Sequence, residues 1–186
     1  MADKKLNTVR INAGEWRSRL IKFPDATGLR PTPERVRQTV FNWLGQDLSG
    51  QACLDLFAGT GVMGFEALSR GAITATLVEK SMPAYKAMLE NKQLLKAENA
   101  HVLHQDALQF LNANKQKFNL IFLDPPYNEA WLPKVLPLLA EHLQNEGLVY
   151  VEAEYALESA QGNAQGWQVI KQSKAGNVFY HLLKSV

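Results

Sequence analysis

The sequence predicts an α/β fold: a seven-stranded, mostly parallel sheet with helices on both faces, an antiparallel C-terminal hairpin and a small N-terminal β-hairpin extension. Three observations carry this. From residue 32 onward, short apolar runs alternate with segments of helical periodicity, the pattern of βα units wound into a parallel sheet. The first run leads into a glycine-spaced turn, Gly59-Thr60-Gly61-Val62-Met63-Gly64, that opens a helix. An acidic residue stands at or just past the end of four runs, Asp55, Glu79, Asp106 and Asp124, on the edge where such sheets bind ligands.

Taken in order, residues 1–30 read as a basic extension and 31–186 as the α/β domain. Arg10-Ile11 and Arg17 to Phe23 form two short strands around Gly14, which would project their arginines as a flap. Charge is uneven. Residues 1–37 hold nine basic against four acidic side chains, whereas the remainder holds eleven against fourteen. Lys4, Lys5, Arg10, Arg17, Arg19, Lys22, Arg30, Arg35 and Arg37, with Trp16 among them, make a phosphate-tracking surface or, more plainly, a solvated charged face. Pro24, Gly28 and Pro31 break periodicity before a helix that Thr32 caps and Pro33 opens. Val36, Val40, Phe41 and Leu44 then recur at helical spacing and should pack on the core.

Ala52 to Phe57 is the first strand of the domain, and the glycine turn leads from it into a helix over Val62 to Arg70. The glycines allow a tight turn and close ligand approach, and the helix N-terminus offers free N–H groups. Thr74 to Val78 is a strand closed by Glu79, placed to take ribose hydroxyls or simply to be solvated. Ala100 to His104 runs to Gln105-Asp106-Ala107. There Asp106 can cap the helix over Ala107 to Leu111, accept from an adenine amine, or do both. Phe118 to Leu123 is a buried strand. Beyond it, Trp131 to Leu143 reads as a helix whose first turns Pro133 and Pro137 disturb. Glu146 to Glu152 is the fifth strand. Gly166 to Ser173 and Val178 to Leu183, turning at Gly176-Asn177, form the closing hairpin.

Asp124-Pro125-Pro126-Tyr127, directly after Phe118 to Leu123, is the most informative stretch. An amino group conjugated to a ring attacks electrophiles poorly unless acceptors orient it and drain its protons. Asp124 can accept one N–H and the Pro125 carbonyl the other. Two prolines fix φ and remove two backbone donors, leaving a stiff bracket that presents carbonyls. Tyr127 can stack on the ring. Such equipment suits methylation of an exocyclic nitrogen.

Composition bounds the rest. A chain of 186 residues with 46% hydrophobic content suits one compact domain, expected to be cytosolic and monomeric. The single Cys53 precludes an internal disulfide and reads as a core residue, the four histidines show no ligand spacing, and no metal is expected. Met1 to Lys5 lacks the apolar core of a signal peptide, and no run reaches membrane-spanning length.

Leu54 to Gly61, Glu79, Gln105-Asp106-Ala107 and Asp124 to Tyr127 resemble, in order and spacing, motifs I to IV of the Rossmann-like class I S-adenosylmethionine-dependent methyltransferases. Val9 to Arg19, Gly28 to Thr32 and Arg35 to Leu44 are further similar to the start of the RsmD family, whose members methylate N2 of guanine 966 in bacterial 16S rRNA. The resemblance weakens after about Ala153. It implies S-adenosylmethionine as cofactor, with Asp55, Phe57, Ala58, Gly59, Thr60 and Gly61 around its methionine and ribose. Glu79 and Lys80 would lie at the ribose hydroxyls, and Asp106 with Ala107 at adenine. It makes Asp124, Pro125, Pro126 and Tyr127 catalytic and puts Arg30 and Thr32 near the mouth. The implied partner is 16S rRNA in a 30S subunit, met by Arg10, Arg17, Arg19, Lys22, Arg30, Arg35 and Arg37. Two departures stand out. Asn12-Ala13 replace an apolar residue and a glycine, and Gln38 replaces a glutamate.

Four other readings stay open at this level. An adenine methyltransferase can carry an acidic-Pro-Pro-Tyr bracket, but no insertion here could hold a target-recognition region. A protein glutamine methyltransferase usually has Asn at the position of Asp124 and needs no basic arm. A nicotinamide oxidoreductase would use the glycine turn and leave Asp124 to Tyr127 unexplained. A non-catalytic RNA-binding module would bind RNA without moving a methyl.

Overall fold

In chain order the elements are β1 (Leu6–Arg10), β2 (Leu20–Pro24), α1 (Glu34–Leu44), β3 (Ala52–Asp55), α2 (Val62–Ser69), β4 (Thr74–Glu79) and α3 (Met82–Leu95). They continue with β5 (Ala100–His104), α4 (Ala107–Ala113), β6 (Phe118–Leu123), α5 (Trp131–Leu139), a 3₁₀ turn (Ala140–His142), β7 (Leu143–Ala153), β8 (Trp167–Ala175) and β9 (Val178–Ser185). This computed structural model describes residues 6–127, 129–157 and 164–186. Lys4 and Lys5 of the expected basic surface lie outside them.

The sheet runs β5-β4-β3-β6-β7-β9-β8. All pairs from β5 to β7 are parallel, and β9 pairs antiparallel with β7 and β8. Alternation along each strand splits the core between two faces. Cys53, Leu77, Phe122 and Tyr150 pack toward α1, α2 and α3, while Leu54, Val78, Ile121 and Val151 pack toward α4 and α5. After β5 the chain crosses back to place β6 on the other side of β3. Strand order therefore reverses between β3 and β6, the topological switch point where wound sheets open a crevice.

The N-terminal hairpin forms, with strands shifted from the expected spans. β1 begins at Leu6 and β2 at Leu20, and residues 11–19 make the connection. Nor is it a free flap. Val9, Ile11, Ile21 and Phe23 point inward and join the core around α2 and α3. Asn91 on α3 brackets Lys22, accepting from its N–H at 2.9 Å and donating to its carbonyl at 2.7 Å. A Cβ on Gly14 (φ +82°) would sit 1.7 Å from the Ser69 carbonyl oxygen, so only glycine permits this approach.

Glu66, fully buried in α2, explains the docking. Its carboxylate accepts from the backbone N–H groups of Asn12 (2.8 Å) and Ala13 (3.0 Å) and pairs with Arg37 at 3.2 Å and Arg70 at 2.9 Å. This corrects the reading of Arg37 as an RNA contact. It is 1% exposed and donates also to the carbonyls of Thr32 (3.0 Å) and Arg10 (2.9 Å), because α1 turns it against a buried acid. Burial depresses its pKa. Arg10, Arg17, Arg19, Lys22, Arg30 and Arg35 are exposed, as expected of the basic face. Gln38 is exposed too, whereas the Asn12-Ala13 turn faces α2 rather than solvent.

Thr32 does not cap α1. Helical bonding begins with Arg37 N–H on the Pro33 carbonyl, and the Thr32 hydroxyl instead donates to Glu152 at 2.9 Å. The helix expected over Trp131 to Leu143 ends at Leu139, two residues after Pro137, and tightens into the 3₁₀ turn at Ala140.

Candidate active site

Register brings the acidic strand ends together. Asp55 lies opposite Phe122, and Phe122 opposite Tyr150. Two residues on, Asp124 and Glu152 share the face and edge of Asp55, on strands about 4.8 Å apart. All three line one cleft of about 970 Å³, large for a small-molecule site.

The glycine turn forms one wall. Gly59 N–H donates to Glu79 Oε2 at 2.8 Å, Ser81 N–H to Glu79 Oε1 at 2.6 Å, and Gly64 N–H to Asp55 Oδ2 at 3.2 Å. A Cβ on Gly64 would meet Leu77 at 2.9 Å, so the third glycine serves close packing of α2 on β4. Gly61 (φ +78°) caps α2 and faces Phe65 and Met88. Its chain neighbours Thr60 and Val62 both line the cleft. Asp55, Phe57, Ala58, Gly59, Thr60, Glu79, Lys80, Asp106 and Ala107 all line the cleft.

Asp106 caps α4, accepting from Leu108 (2.9 Å) and Gln109 (3.3 Å) N–H through Oδ1. Since a carboxylate has about four acceptor sites, Glu79 and Asp106 can still receive ligand donors. A side-chain-free step at Gly59, the Glu79 carboxylate behind it and Asp106 farther along the same wall match a nucleoside bearing a small charged tail. The residues present therefore fit S-adenosylmethionine, the cofactor that the resemblance implies.

Asp124, Pro125, Pro126 and Tyr127 line the same cleft. Tyr127 is 40% exposed, and Phe57 and Trp131, which line the cleft too, meet edge-on at 5.1 Å. The stretch from Ala26 to Pro33 roofs the cleft, including Arg30 and Thr32 as expected. Among the lining residues not singled out as site residues from the sequence are Leu29, Tyr150 and Glu152. Glu152 obeyed the same rule as the other strand-end acids and could have been found by it.

Electrostatically the cleft is short of positive charge. Burial raises the Asp55 carboxyl to about 7. Burial, then Glu152, then Asp55 push Asp124 well above the usual carboxylate range, and burial raises Glu152 despite the Thr32 and Tyr150 hydroxyls. Tyr127 and Tyr150 are raised as well, by burial first and neighbouring acids second. A wall of desolvated carboxylates favours a cation and amine donors. Among the described residues no group of three His, Cys, Asp or Glu could hold a metal ion, and no helix is long and apolar enough to cross a membrane.

The family model described as Conserved hypothetical protein 95 matches residues 9–184. Ribosomal RNA small subunit methyltransferase D of Escherichia coli (strain K12) is 40% identical over 178 residues, 94% of this chain and 88% of its own. The solved structure of Escherichia coli yhhF superposes with a TM-score of 0.83 at 38% identity, covering 96% of this chain and 98% of that one. A Thermus thermophilus 16S rRNA N2 methyltransferase, RsmC, solved with AdoMet and guanosine, superposes with a TM-score of 0.74 over 98% of this chain and 50% of that one. At 16% identity it shares the fold.

Proposed function

The chain belongs to the Conserved hypothetical protein 95 family, the RsmD family, and from that premise we propose that it methylates N2 of guanine 966 in 16S rRNA. It is an S-adenosylmethionine-dependent methyltransferase of ribosomal RNA. What supports the finer reading is one observation: Asp124 to Tyr127 open onto the same cleft as the Gly59 turn and Glu79.

When bound, S-adenosylmethionine supplies a methyl already activated on a sulfonium, leaving position and desolvation to the protein. Gly59, Thr60 and Asp55 hold the methionine side, Glu79 and Lys80 the ribose, and Asp106 with Ala107 the adenine. Asp124 accepts one N–H of the guanine amine and the Pro125 carbonyl the other, aiming the nitrogen lone pair at the cofactor side of the cleft. Pro126 stiffens the bracket, and Tyr127 stacks on a base turned out of its surroundings. As the amine becomes cationic it sheds a proton. Asp124, made more basic by its burial, receives it.

Arg10, Arg17, Arg19, Lys22, Arg30 and Arg35 track phosphates, with residues 1–30 as the RNA-facing extension of the domain over 31–186. We place the reaction in the cytoplasm, on an assembled or assembling 30S subunit, with the protein as a monomer. The test is tritiated methyl transfer to 30S particles, naked 16S rRNA and total protein in parallel, with mapping of the modified base. Label at guanine 966 N2 is expected, and Asp124→Ala should abolish it while S-adenosylmethionine still binds. Near-normal turnover by that variant, or label confined to protein, defeats the assignment.

A further inference from the structure

We propose that Glu152 reads the guanine's N1–H, making it the residue that admits guanine and rejects adenine, an inference resting on the guanine-N2 reading above. Guanine presents its N2 amine beside an N1–H, so once Asp124 and Pro125 hold the amine, a neighbouring donor still seeks an acceptor. Adenine instead sets a lone pair on N1 beside its amine. A carboxylate at this point attracts the first edge and repels the second.

Geometry puts Glu152 at that point. The pairing that sets Leu123 opposite Val151 makes Asp124 and Glu152 neighbours on adjacent parallel strands, and both line the cleft. Glu152 is 4% exposed, yet both of its hydrogen bonds fall on one oxygen: Oε1 accepts from Thr32 and from Tyr150, each at 2.9 Å. Among the described residues Oε2 receives no hydrogen bond, and it is not one of the sealed, unsatisfied polar atoms of the interior. It opens on the cleft. An oxygen with no protein donor, on a carboxylate otherwise held in place, keeps its acceptor capacity for a ligand N–H. The two hydroxyls fix which oxygen faces the base, and Arg37 holds the Thr32 backbone in turn.

The proposal is tested on 30S particles whose 16S rRNA carries, at the position methylated by the wild type, either guanine or 2-aminopurine. The analogue keeps the N2 amine and lacks the N1–H. Wild-type protein should favour guanine by kcat/KM at least about 100-fold, since a site built to bind a donor discriminates strongly against its absence. In Glu152→Gln, the hydroxyls retain the oxygen and turn the amide N–H toward the base. The guanine to 2-aminopurine ratio should fall at least about 10-fold, with S-adenosylmethionine affinity by calorimetry unchanged. Equal losses on both substrates would make Glu152 structural and overturn the proposal while leaving guanine methylation standing. Absence of N2 methylation by the wild type overturns both. Should the glutamine variant not fold, Glu152→Asp withdraws the carboxylate and must lower the same ratio; an unchanged ratio there is equally fatal.

Discussion

Arg37→Met separates two roles for one basic residue. In the structure its guanidinium pairs with Glu66 and donates to the carbonyls of Thr32 and Arg10, all at 3.2 Å or less. Breaking a buried ion pair from one side commonly costs about 3–5 kcal/mol. Here Glu66 keeps Arg70 and two backbone donors, which argues for the lower end. Two carbonyls also lose their partner, at about 1 kcal/mol each, and the methionine stem recovers part of the packing. The net expectation is a loss of about 3 kcal/mol, a large fraction of the ~5–15 kcal/mol that holds a domain together. For a chain of this length that lowers Tm by roughly 6–12 °C. Urea unfolding followed by circular dichroism measures it, and filter binding to 16S rRNA provides the contrast. A stability loss below about 1 kcal/mol together with an RNA affinity loss would return Arg37 to the basic face and refute the buried network.

Three further outcomes follow from the same contacts. Because the Asp55 carboxyl is raised to about 7 against about 3.9 unfolded, the native state holds more protons than the unfolded one between those values. Ligand-free stability should therefore fall as pH rises from about 4 to about 7, by up to about 4 kcal/mol from this group, and Asp55→Asn should flatten the curve in denaturant titrations at stepped pH; a wild-type curve that rises with pH through this window is the contrary result. Neither polar atom of the buried Asn12 amide finds a partner, so Asn12→Val should stabilise by about 1 kcal/mol in urea, and a loss would mean that the amide is satisfied by water. Changing Arg17, Arg19 and Lys22 together to serine should weaken RNA binding and flatten log K against log salt by up to about 2 units at roughly 0.7–0.9 per lost phosphate contact, with Tm unmoved; an unaltered slope would leave them as a solvated face.

The sequence was most legible where an arrangement is local. A strand ending in an acid, a turn spaced by glycines and the Asp124-Pro125-Pro126-Tyr127 bracket are short-range events, and Phe118–Leu123 falls where it was expected. The cleft wall from Asp55 to Thr60, Glu79 and Asp106 could be read for the same reason. Arg37 could not be told from Arg35 by composition, since what separates them is Glu66, 29 positions away in the chain, buried in a helix that meets only one of them. Thr32 matched a helix cap in its own surroundings and was taken by a carboxylate 120 positions on.

By itself the amino-acid sequence determined the βα order, the acidic edge and the bracket, because propensity, hydrophobic period and turn chemistry act over a few residues. Pairing of β6 with β7, docking of the hairpin on α2 and the choice of which charges to bury belonged to the tertiary structure. They rest on desolvation and register, and both depend on which distant segment arrives opposite.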